Sequence, residues 1–218
     1  MSHAIDYSPQ RGARPYHMGN VRNRLLAAAK TILERDGRDH LQLRAIAALT
    51  GVSAPTVYYH YADKHSLLGA LAREGFLALS ATLEHADAGE TGGPGLRAIS
   101  ASYLDFVDAH PALYRLMYEL RDSEPTAEVV AAEDAALAAM RLAVGRALSD
   151  RAPDEAVANL AEVLWAFGRG AAAVGLARGH PGGAPACGWT HRALLGLALL
   201  DTGGLLAAVA AWAPPGTM

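Results

Sequence analysis

A chain of 218 residues, 51% hydrophobic and 19% charged, is large enough for a small domain joined to a larger one and too apolar to be disordered. Its single cysteine excludes a disulfide framework, and its N-terminus has no apolar leader, so we expect a cytoplasmic protein. Residues 1–66 carry nine basic and five acidic side chains, whereas residues 67–218 carry ten and seventeen. A basic head on an acidic body indicates that the head meets a polyanion.

The first predicted elements form a small helical unit. Residues 1–19 are polar, contain two prolines and show no periodicity, so we expect a flexible arm. The apolar residues that follow recur at spacings of three and four, which predicts a helix that ends at Gly37. A short helix is predicted over 43–49, and a third begins after Ser53, a residue type that favours the N-cap position.

The rest of the chain is also predicted to be helical. Asp63 caps a long fourth helix, and "AGETGGPG" then interrupts the pattern. Further helices are predicted over residues 95–109, 111–122, 126–149, 154–178 and 191–211. No segment alternates with period two, so no sheet is expected. The predicted fold class is all-α, with an arm over residues 1–19, a three-helix unit over 20–66 and a larger helical domain over 67–218.

The segment "LRAIAALTGVSAPTVYYHY" has the form of a helix-turn-helix, because "TGVS" joins two short helices and its glycine permits a tight turn. Val57 and Tyr61 are four residues apart and are expected to face inward with Ile46 and Leu49. In such a unit the second helix enters the major groove, where small side chains approach the bases and tyrosine or histidine donates to phosphates. The residues predicted to contact DNA are Ser53, Ala54, Pro55, Thr56, Tyr58, Tyr59 and His60. The alternative for the tyrosines is a half-buried core.

Lys64 has an unusual position at the first turn of the fourth helix. A cation there opposes the helix dipole, at a cost of a few tenths of a kcal/mol. A bound phosphate would reverse the sign, because it would accept both the ammonium and the free N–H groups of the helix start. We therefore predict that Lys64 contacts a phosphate of the DNA.

Together, "IAALTGVS", "TVYYHY" and "KHSLL" resemble the DNA-binding domain of the TetR family of transcriptional regulators over about residues 20–68. The resemblance implies a homodimer that binds a near-palindromic operator as a repressor and is released by a small molecule. The family often has threonine at the start of the second helix, where it contacts phosphate. This chain has Gln42 there, with Arg44 as a second candidate for that contact.

The larger domain carries "YLDFVDAHPALYRLMY" and "LWAFGRGAA", which resemble the WHG-type ligand-binding domain of some family members. That subgroup often has histidine where this chain has Phe167. The resemblance implies an effector cavity bordered by Ala166 and lined by side chains that could also be ordinary core: Tyr103, Phe106, Tyr114, Met117, Tyr118, Met140, Trp165 and Phe167.

Two helices rich in small residues, 154–178 and 191–212, are predicted to form the interface of a soluble homodimer. On the first, the small residues are Ala161, Gly168, Ala171, Ala172 and Gly175. The stretch 193–213 is long enough to span a membrane, but Asp201 and Thr202 stand at its centre, so no membrane partner is predicted.

Other classes of protein have less support. The sequence contains no nucleophile elbow, phosphate loop or paired metal-ligand motif, so neither an enzyme nor a cofactor is predicted. His180, Cys187 and His191 lack an evident fourth ligand, and no metal site is assigned. Two alternatives remain open. One is an activator or a regulator without a ligand, and the other is a small-molecule-binding helical protein with a vestigial head.

Overall fold

The computed structural model describes residues 18–86, 91–148 and 152–177. Within these ranges there are eight α-helices and no strand, which confirms the all-α fold class. The predicted N-terminal arm, and the predicted helix at 191–211, lie outside the described residues.

The helices follow one another with short connections. In chain order they are α1 (Met18–Asp36), α2 (Leu43–Thr50), α3 (Ala54–His60), α4 (Lys64–Glu84), α5 (Gly92–Ala109), α6 (Pro111–Ser123), α7 (Ala127–Ala147) and α8 (Asp154–Ala177). A single 3-10 turn, Arg38–His40, lies between α1 and α2. At α5 the structure differs from the predicted boundary by three residues, because the helix begins at Gly92 rather than at residue 95.

Local chemistry fixes the turns around α3. Gly51 ends α2 in the left-handed region, at φ 68°, where a side chain would be strained. Ser53 accepts the backbone N–H of Thr56 at 3.3 Å and caps α3. Asp63 accepts the N–H of Ser66 at 2.7 Å, and the Ser66 hydroxyl accepts the N–H of Asp63 in return. These caps set the short helix α3 at a defined angle between α2 and α4.

The head is built on the inward faces of α1 to α3. Leu25, Ile46 and Val57 are fully buried, and Tyr61 is 2% exposed, as the four-residue spacing predicts. The prediction that Leu49 also faces inward is wrong, because this side chain is 55% exposed. The inner face of α2 is formed by Leu43, Ile46 and Ala47, and at 3.6 residues per turn position 49 is turned well away from it.

Helix α4 connects the head to the body. It contacts α1 in the head and α5, α6 and α7 in the body. Its inner face is apolar from Leu67 to Leu83, and the buried residues of both units belong to one continuous core. The division at residue 66 therefore stays a prediction about domains, since the packing runs across it.

Among the described residues, two helices, α4 and α8, are long and apolar enough to cross a membrane. Length and composition alone are weak evidence, because core helices of soluble proteins pass the same test. Half of the apolar window of α4 is buried inside the protein. The stretch 193–213 lies outside the described residues.

Candidate DNA-binding surface and effector site

The middle of α3 presents two tyrosines to the outside. Tyr59 is 74% exposed and Tyr58 is 48% exposed. The ring of His60, half-buried, lies edge-on to Tyr59 with 5.3 Å between centroids. Hydroxyl groups on exposed aromatic side chains can donate to phosphates while the rings lie along the groove wall. The interpretation of Tyr58 as core does not fit this exposure.

The first turn of α3 is compact. The hydroxyls of Ser53 and Thr56 lie 2.8 Å apart, so each already has a partner within the cap. Pro55 is exposed and Ala54 half-buried, and neither carries a polar side chain. The tip of the helix therefore offers small, apolar groups that can approach the base edges closely.

The predicted phosphate contacts lie around this helix. Gln42 is the N-cap residue of α2, makes no side-chain capping bond and is exposed, as is Arg44. Lys64 is half-buried and its Nζ donates to the carbonyl of Arg38 at 3.0 Å. This bond holds the connection after α1 onto α4, a structural role that the sequence did not reveal. An ammonium group has three donors, so two remain for a phosphate.

Two arginines near the start of α1 were not predicted as part of the DNA-binding surface. Arg24 donates to the carbonyl of Thr50 at 2.6 Å, at the end of α2 where a cation complements the helix dipole. Arg22 lies 5.8 Å from the centre of the Tyr61 ring. The excess of basic residues in the head was the one feature of the sequence that pointed to these two arginines. Both side chains are exposed and extend the basic surface of the head beside α2 and α3.

Four aromatic side chains from three helices meet inside the body, and we call them the tyrosine cluster: Tyr103 of α5, Tyr114 and Tyr118 of α6, and Trp165 of α8. The Tyr103 hydroxyl lies 2.8 Å from that of Tyr114 and 3.2 Å from that of Tyr118. The Trp165 ring lies edge-on to Tyr103 at 5.5 Å. All four side chains are buried. The structure therefore brings together half of the predicted effector residues.

Burial determines the charge state of the cluster. Desolvation raises the pKa of Tyr114 to about 12. It also raises the pKa of Tyr103 and of Tyr118 well above the usual range, and in both cases a neighbouring tyrosine adds to the effect. The three hydroxyls are therefore neutral at physiological pH and can each donate and accept. Such a group suits an uncharged polar atom of a ligand inside apolar walls.

Arg169 closes one side of the cluster. Its guanidinium lies 4.3 Å from the centre of the Tyr118 ring and donates to Asp122 at 2.5 Å. Phe76 of α4 packs edge-on against Tyr118, with 5.3 Å between the ring centroids. No local sequence pattern marks Arg169, because only the fold brings α8 beside α6.

The remaining predicted effector residues lie elsewhere. Met117 and Met140 are fully buried in the core, and Phe106 lies against His110 with 5.2 Å between ring centroids. Phe167 is half-buried. The expectation that Ala166 borders the cavity is wrong, because its side chain is exposed. Trp165 and Gly168 define the inner face of α8, and Ala166 lies outside it.

The small residues of α8 divide between two faces. Gly168 faces inward, where an added Cβ would lie 2.9 Å from the Tyr103 ring, and Ala161 and Ala172 are buried as well. These three residues do not lie on an exposed face, and Gly168 makes room for the ring of Tyr103 in the same chain. The exposed apolar stripe of α8 instead consists of Val163, Ala166, Gly170, Ala173 and Val174.

An open groove between α7 and α8 has a volume of about 710 Å³ and was not foreseen. Its walls include Arg141, Leu142 and Gly145 of α7 and Val157 of α8. Among the described residues, no three His, Cys, Asp or Glu side chains are grouped to hold a metal ion. His180, Cys187 and His191 lie outside them.

These features define a helical protein with a helix-turn-helix head and a body that contains a buried aromatic cluster. Residues 25–71 match the model of the bacterial regulatory proteins of the tetR family. Residues 96–193 match the model of the tetracyclin repressor-like C-terminal domain. Among the curated proteins, none matches this chain.

Solved structures show the same arrangement. A protein of unknown function from Rhodococcus sp. RHA1 is 34% identical, over 84% of this chain and 96% of its own, with a TM-score of 0.66. A tetR-family transcriptional regulator from Streptomyces coelicolor shares the fold at 20% identity, over 88% of each chain, with a TM-score of 0.64. A TetR variant from Acinetobacter baumannii AYE, in complex with minocycline, shares it at 20% identity, over 84% of this chain and 93% of its own, with a TM-score of 0.55.

The chain belongs to the TetR family of transcriptional regulators. The predicted resemblance is thereby confirmed, whereas the WHG-type subgroup stays a prediction. The family consists of soluble DNA-binding regulators rather than enzymes, and its members bind small molecules and form dimers.

Proposed function

We propose that the protein is a cytoplasmic, homodimeric repressor that binds a near-palindromic operator through α3 and leaves it when a small molecule enters the tyrosine cluster. The observation that carries the proposal is the exposure of Tyr58 and Tyr59 on a helix whose inner face is fully buried. Large aromatic side chains are rarely left in water without a partner. On a helix-turn-helix the partner in keeping with that exposure is DNA.

The electrostatics of the head support DNA as the partner. Arg22, Arg24 and Arg44 are exposed on α1 and α2, and Lys64 keeps two free donors beside α3. A duplex is a dense polyanion, and each neutralised phosphate releases counterions, so such a surface gives affinity that falls with salt. Ala54 and Pro55 then provide close approach to the bases for sequence preference.

The tyrosine cluster supports a small-molecule effector. It joins α5, α6 and α8 through neutral hydroxyls surrounded by aromatic rings. A ligand with one or two uncharged polar atoms and an apolar body can replace the mutual bonds of the hydroxyls with bonds to itself. The minocycline complex of a protein with the same fold is consistent with a small molecule in such a body.

Dimerisation is proposed through the exposed stripe of α8. Val163 is 53% exposed and Val174 is 40% exposed, on a helix with small residues between them. An apolar face of this length needs a cover, and a second copy related by a two-fold axis supplies one. Two heads related by that axis would bind an operator that has the same two-fold symmetry.

Binding to DNA tests the proposal most directly. Random-sequence duplexes enriched by the purified protein should yield a near-palindrome, and a mobility shift with that duplex should show one dimer bound. Failure to enrich any sequence, at low salt and with folded protein, would refute the DNA-binding function.

Transcription from a promoter that contains the enriched site then separates a repressor from an activator. A thermal-shift screen searches for the effector, since a ligand at 100 times its Kd adds about 2.7 kcal/mol.

A further inference from the structure

A carboxylate of the head caps a helix of the body. Glu34, on α1, accepts the backbone N–H of Ala112 through Oε2 and that of Leu113 through Oε1, both at 3.1 Å. The first N–H groups of a helix have no partner within the helix, and the N-cap residue of α6, His110, makes no side-chain capping bond. The cap of α6 therefore comes from a residue 78 positions earlier in the chain.

Besides the packing of α1 against α6, two side-chain pairs lie nearby, and both are more exposed than Glu34. One joins the head to α6, and the other joins the start of α4 to the residue that follows α6. Arg38 pairs with Glu119, with side chains 39% and 52% exposed. His65 lies 3.1 Å from Glu124, with side chains 49% and 67% exposed. Water and salt weaken ion pairs at such positions. Glu34 is half-buried and makes two charge-assisted bonds to backbone groups that cannot move independently of α6. Of these three contacts, the one made by Glu34 is the most sensitive to the position of α6.

The same helix carries the tyrosine cluster. Leu113 donates to Glu34, and the next residue, Tyr114, bonds to Tyr103 in the cluster. One turn further on, Met117 is packed so closely against α4 that a Cβ on Gly75 would lie 2.5 Å from its sulfur. A shift of Tyr114 therefore displaces the amides of the first turn. From 3.1 Å, a shift of about half an ångström takes a bond beyond hydrogen-bonding distance.

We propose that Glu34 couples the position of α6 to the DNA-binding head, so that movement of Tyr114 on effector binding breaks the cap and frees α1. This rests on the proposed function. On the other side of the head, Arg24 of α1 donates to Thr50 at the end of α2, so the position of α1 sets that of the helix-turn-helix. A dimer that reads two half-sites needs both heads at a fixed spacing. Loss of the cap leaves each head folded and still joined to the body through α4, but it allows α1 to shift against α6.

The test compares Glu34→Gln with Asp39→Asn. Each removes one negative charge from the head, and Asp39 is exposed in the 3-10 turn after α1. The probes are the duplex enriched from random sequences by the parent protein and a duplex with only one of its half-sites. Removal of a negative charge alone should raise the affinity for DNA, which Asp39→Asn measures. For Glu34→Gln we expect full-site affinity to fall about tenfold and half-site affinity to stay within about twofold of the parent.

Two outcomes would overturn the proposal. Full-site affinity that follows the Asp39→Asn control would show that the cap does not position the head. An equal fall on full-site and half-site duplexes would show that Glu34 acts on the folding of the head itself.

Hydrogen exchange tests the coupling without DNA or effector. In the parent, peptides from α2 and α3 should exchange in the same cooperative unit as peptides from α5, whereas in Glu34→Gln the head peptides should exchange first. A single unit in both proteins overturns the proposal even if the parent binds no DNA. If the head exchanges separately only in Glu34→Gln, the coupling through Glu34 is supported even when the parent binds no DNA. The proposed DNA-binding function would in that case have failed in the separate binding test.

Discussion

The hydroxyl of Tyr103 lies 2.8 Å from the hydroxyl of Tyr114 and joins α5 to α6 in the interior of the body. Tyr103 is 1% exposed, and its hydroxyl also reaches Tyr118, so one polar atom organises three aromatic side chains. A polar hub in an apolar core is stabilising only while each member keeps a partner. That makes the cluster sensitive to small chemical changes.

Tyr103→Phe removes the hub hydroxyl and keeps the ring. The hydroxyls of Tyr114 and Tyr118 lose their shared partner in a buried site, so we expect the free energy of unfolding to fall by about 1–2 kcal/mol. Urea denaturation followed by circular dichroism measures this. Tyr58→Phe is the matched control, because the Tyr58 side chain is 48% exposed and should lose no stability. Equal stability of the two variants would mean that the cluster is not held by its hydroxyls.

Gly168→Ala tests the packing between α8 and the cluster. The added Cβ would lie 2.9 Å from the Tyr103 ring, which must shift, and overpacking of this kind costs about 1–3 kcal/mol. Gly69→Ala in α4 is the control, since nothing lies within 4 Å of its added Cβ and alanine favours the helix by up to about 1 kcal/mol. Thermal unfolding should therefore move in opposite directions in the two variants. A shift upward in both would contradict the close contact.

Stability should decline in alkaline solution because of the cluster. Burial raises the pKa of Tyr114 to about 12 and those of Tyr103 and Tyr118 above their usual range, while the unfolded chain titrates near 10. Between these values the folded protein binds more protons than the unfolded one, so stability is full below about pH 10 and falls as the pH rises toward 12. Urea titrations from pH 8 to 11 measure the slope. Tyr103→Phe should flatten it, and an unchanged slope would argue against the buried cluster.

The sequence predicted the helices well because caps and glycines act locally. Ser53, Asp63 and Gly51 each determine a boundary with partners two to five residues away, and all three boundaries appear in the structure. The inward direction of Val57 and Tyr61 followed from helical spacing in the same way. The prediction for Leu49 was wrong because helical rotation turns position 49 away from the face formed by Leu43, Ile46 and Ala47.

Contacts between distant segments were beyond such reasoning. The bonds from Glu34 to α6 and from Arg169 to Asp122 join residues 47 or more positions apart, and no local pattern marks them. The sequence also could not separate the inner face of α8 from the outer one, because alanine and glycine occur on both. Only the contact with the Tyr103 ring shows that Gly168 lies on the inner face. The aromatic composition of the proposed effector site could be predicted from the sequence, but which residues belong to it depends on which helices meet in the fold.

Lys64 should affect both DNA binding and stability. Lys64→Ala removes the proposed phosphate contact, so binding to all sequences should weaken alike and the salt dependence should flatten by about one unit of slope. It also removes the bond to the carbonyl of Arg38, which lowers stability by about 1 kcal/mol. Tyr59→Ala should weaken DNA binding without loss of stability, because the side chain is 74% exposed. Fluorescence anisotropy at several salt concentrations measures the salt dependence of DNA binding for both variants. If the slope for Lys64→Ala equals that of the parent, Lys64 has only a structural role.

Val163→Asp should separate the subunits. The side chain is 53% exposed on the apolar stripe of α8, and a carboxylate buried there on dimerisation would lose its hydration without a partner. In the single chain the same residue stays in water, so the fold itself should remain intact. Leu142→Asp is the control, because Leu142 is 62% exposed and belongs to α7 rather than to the apolar stripe of α8. Sedimentation velocity should show a dimer for the parent and for Leu142→Asp, and a folded monomer for Val163→Asp.

The monomer should also lose most of its affinity for a full operator while binding a half-site normally, since two linked heads bind as one unit. A Val163→Asp protein that sediments as a dimer would place the interface elsewhere.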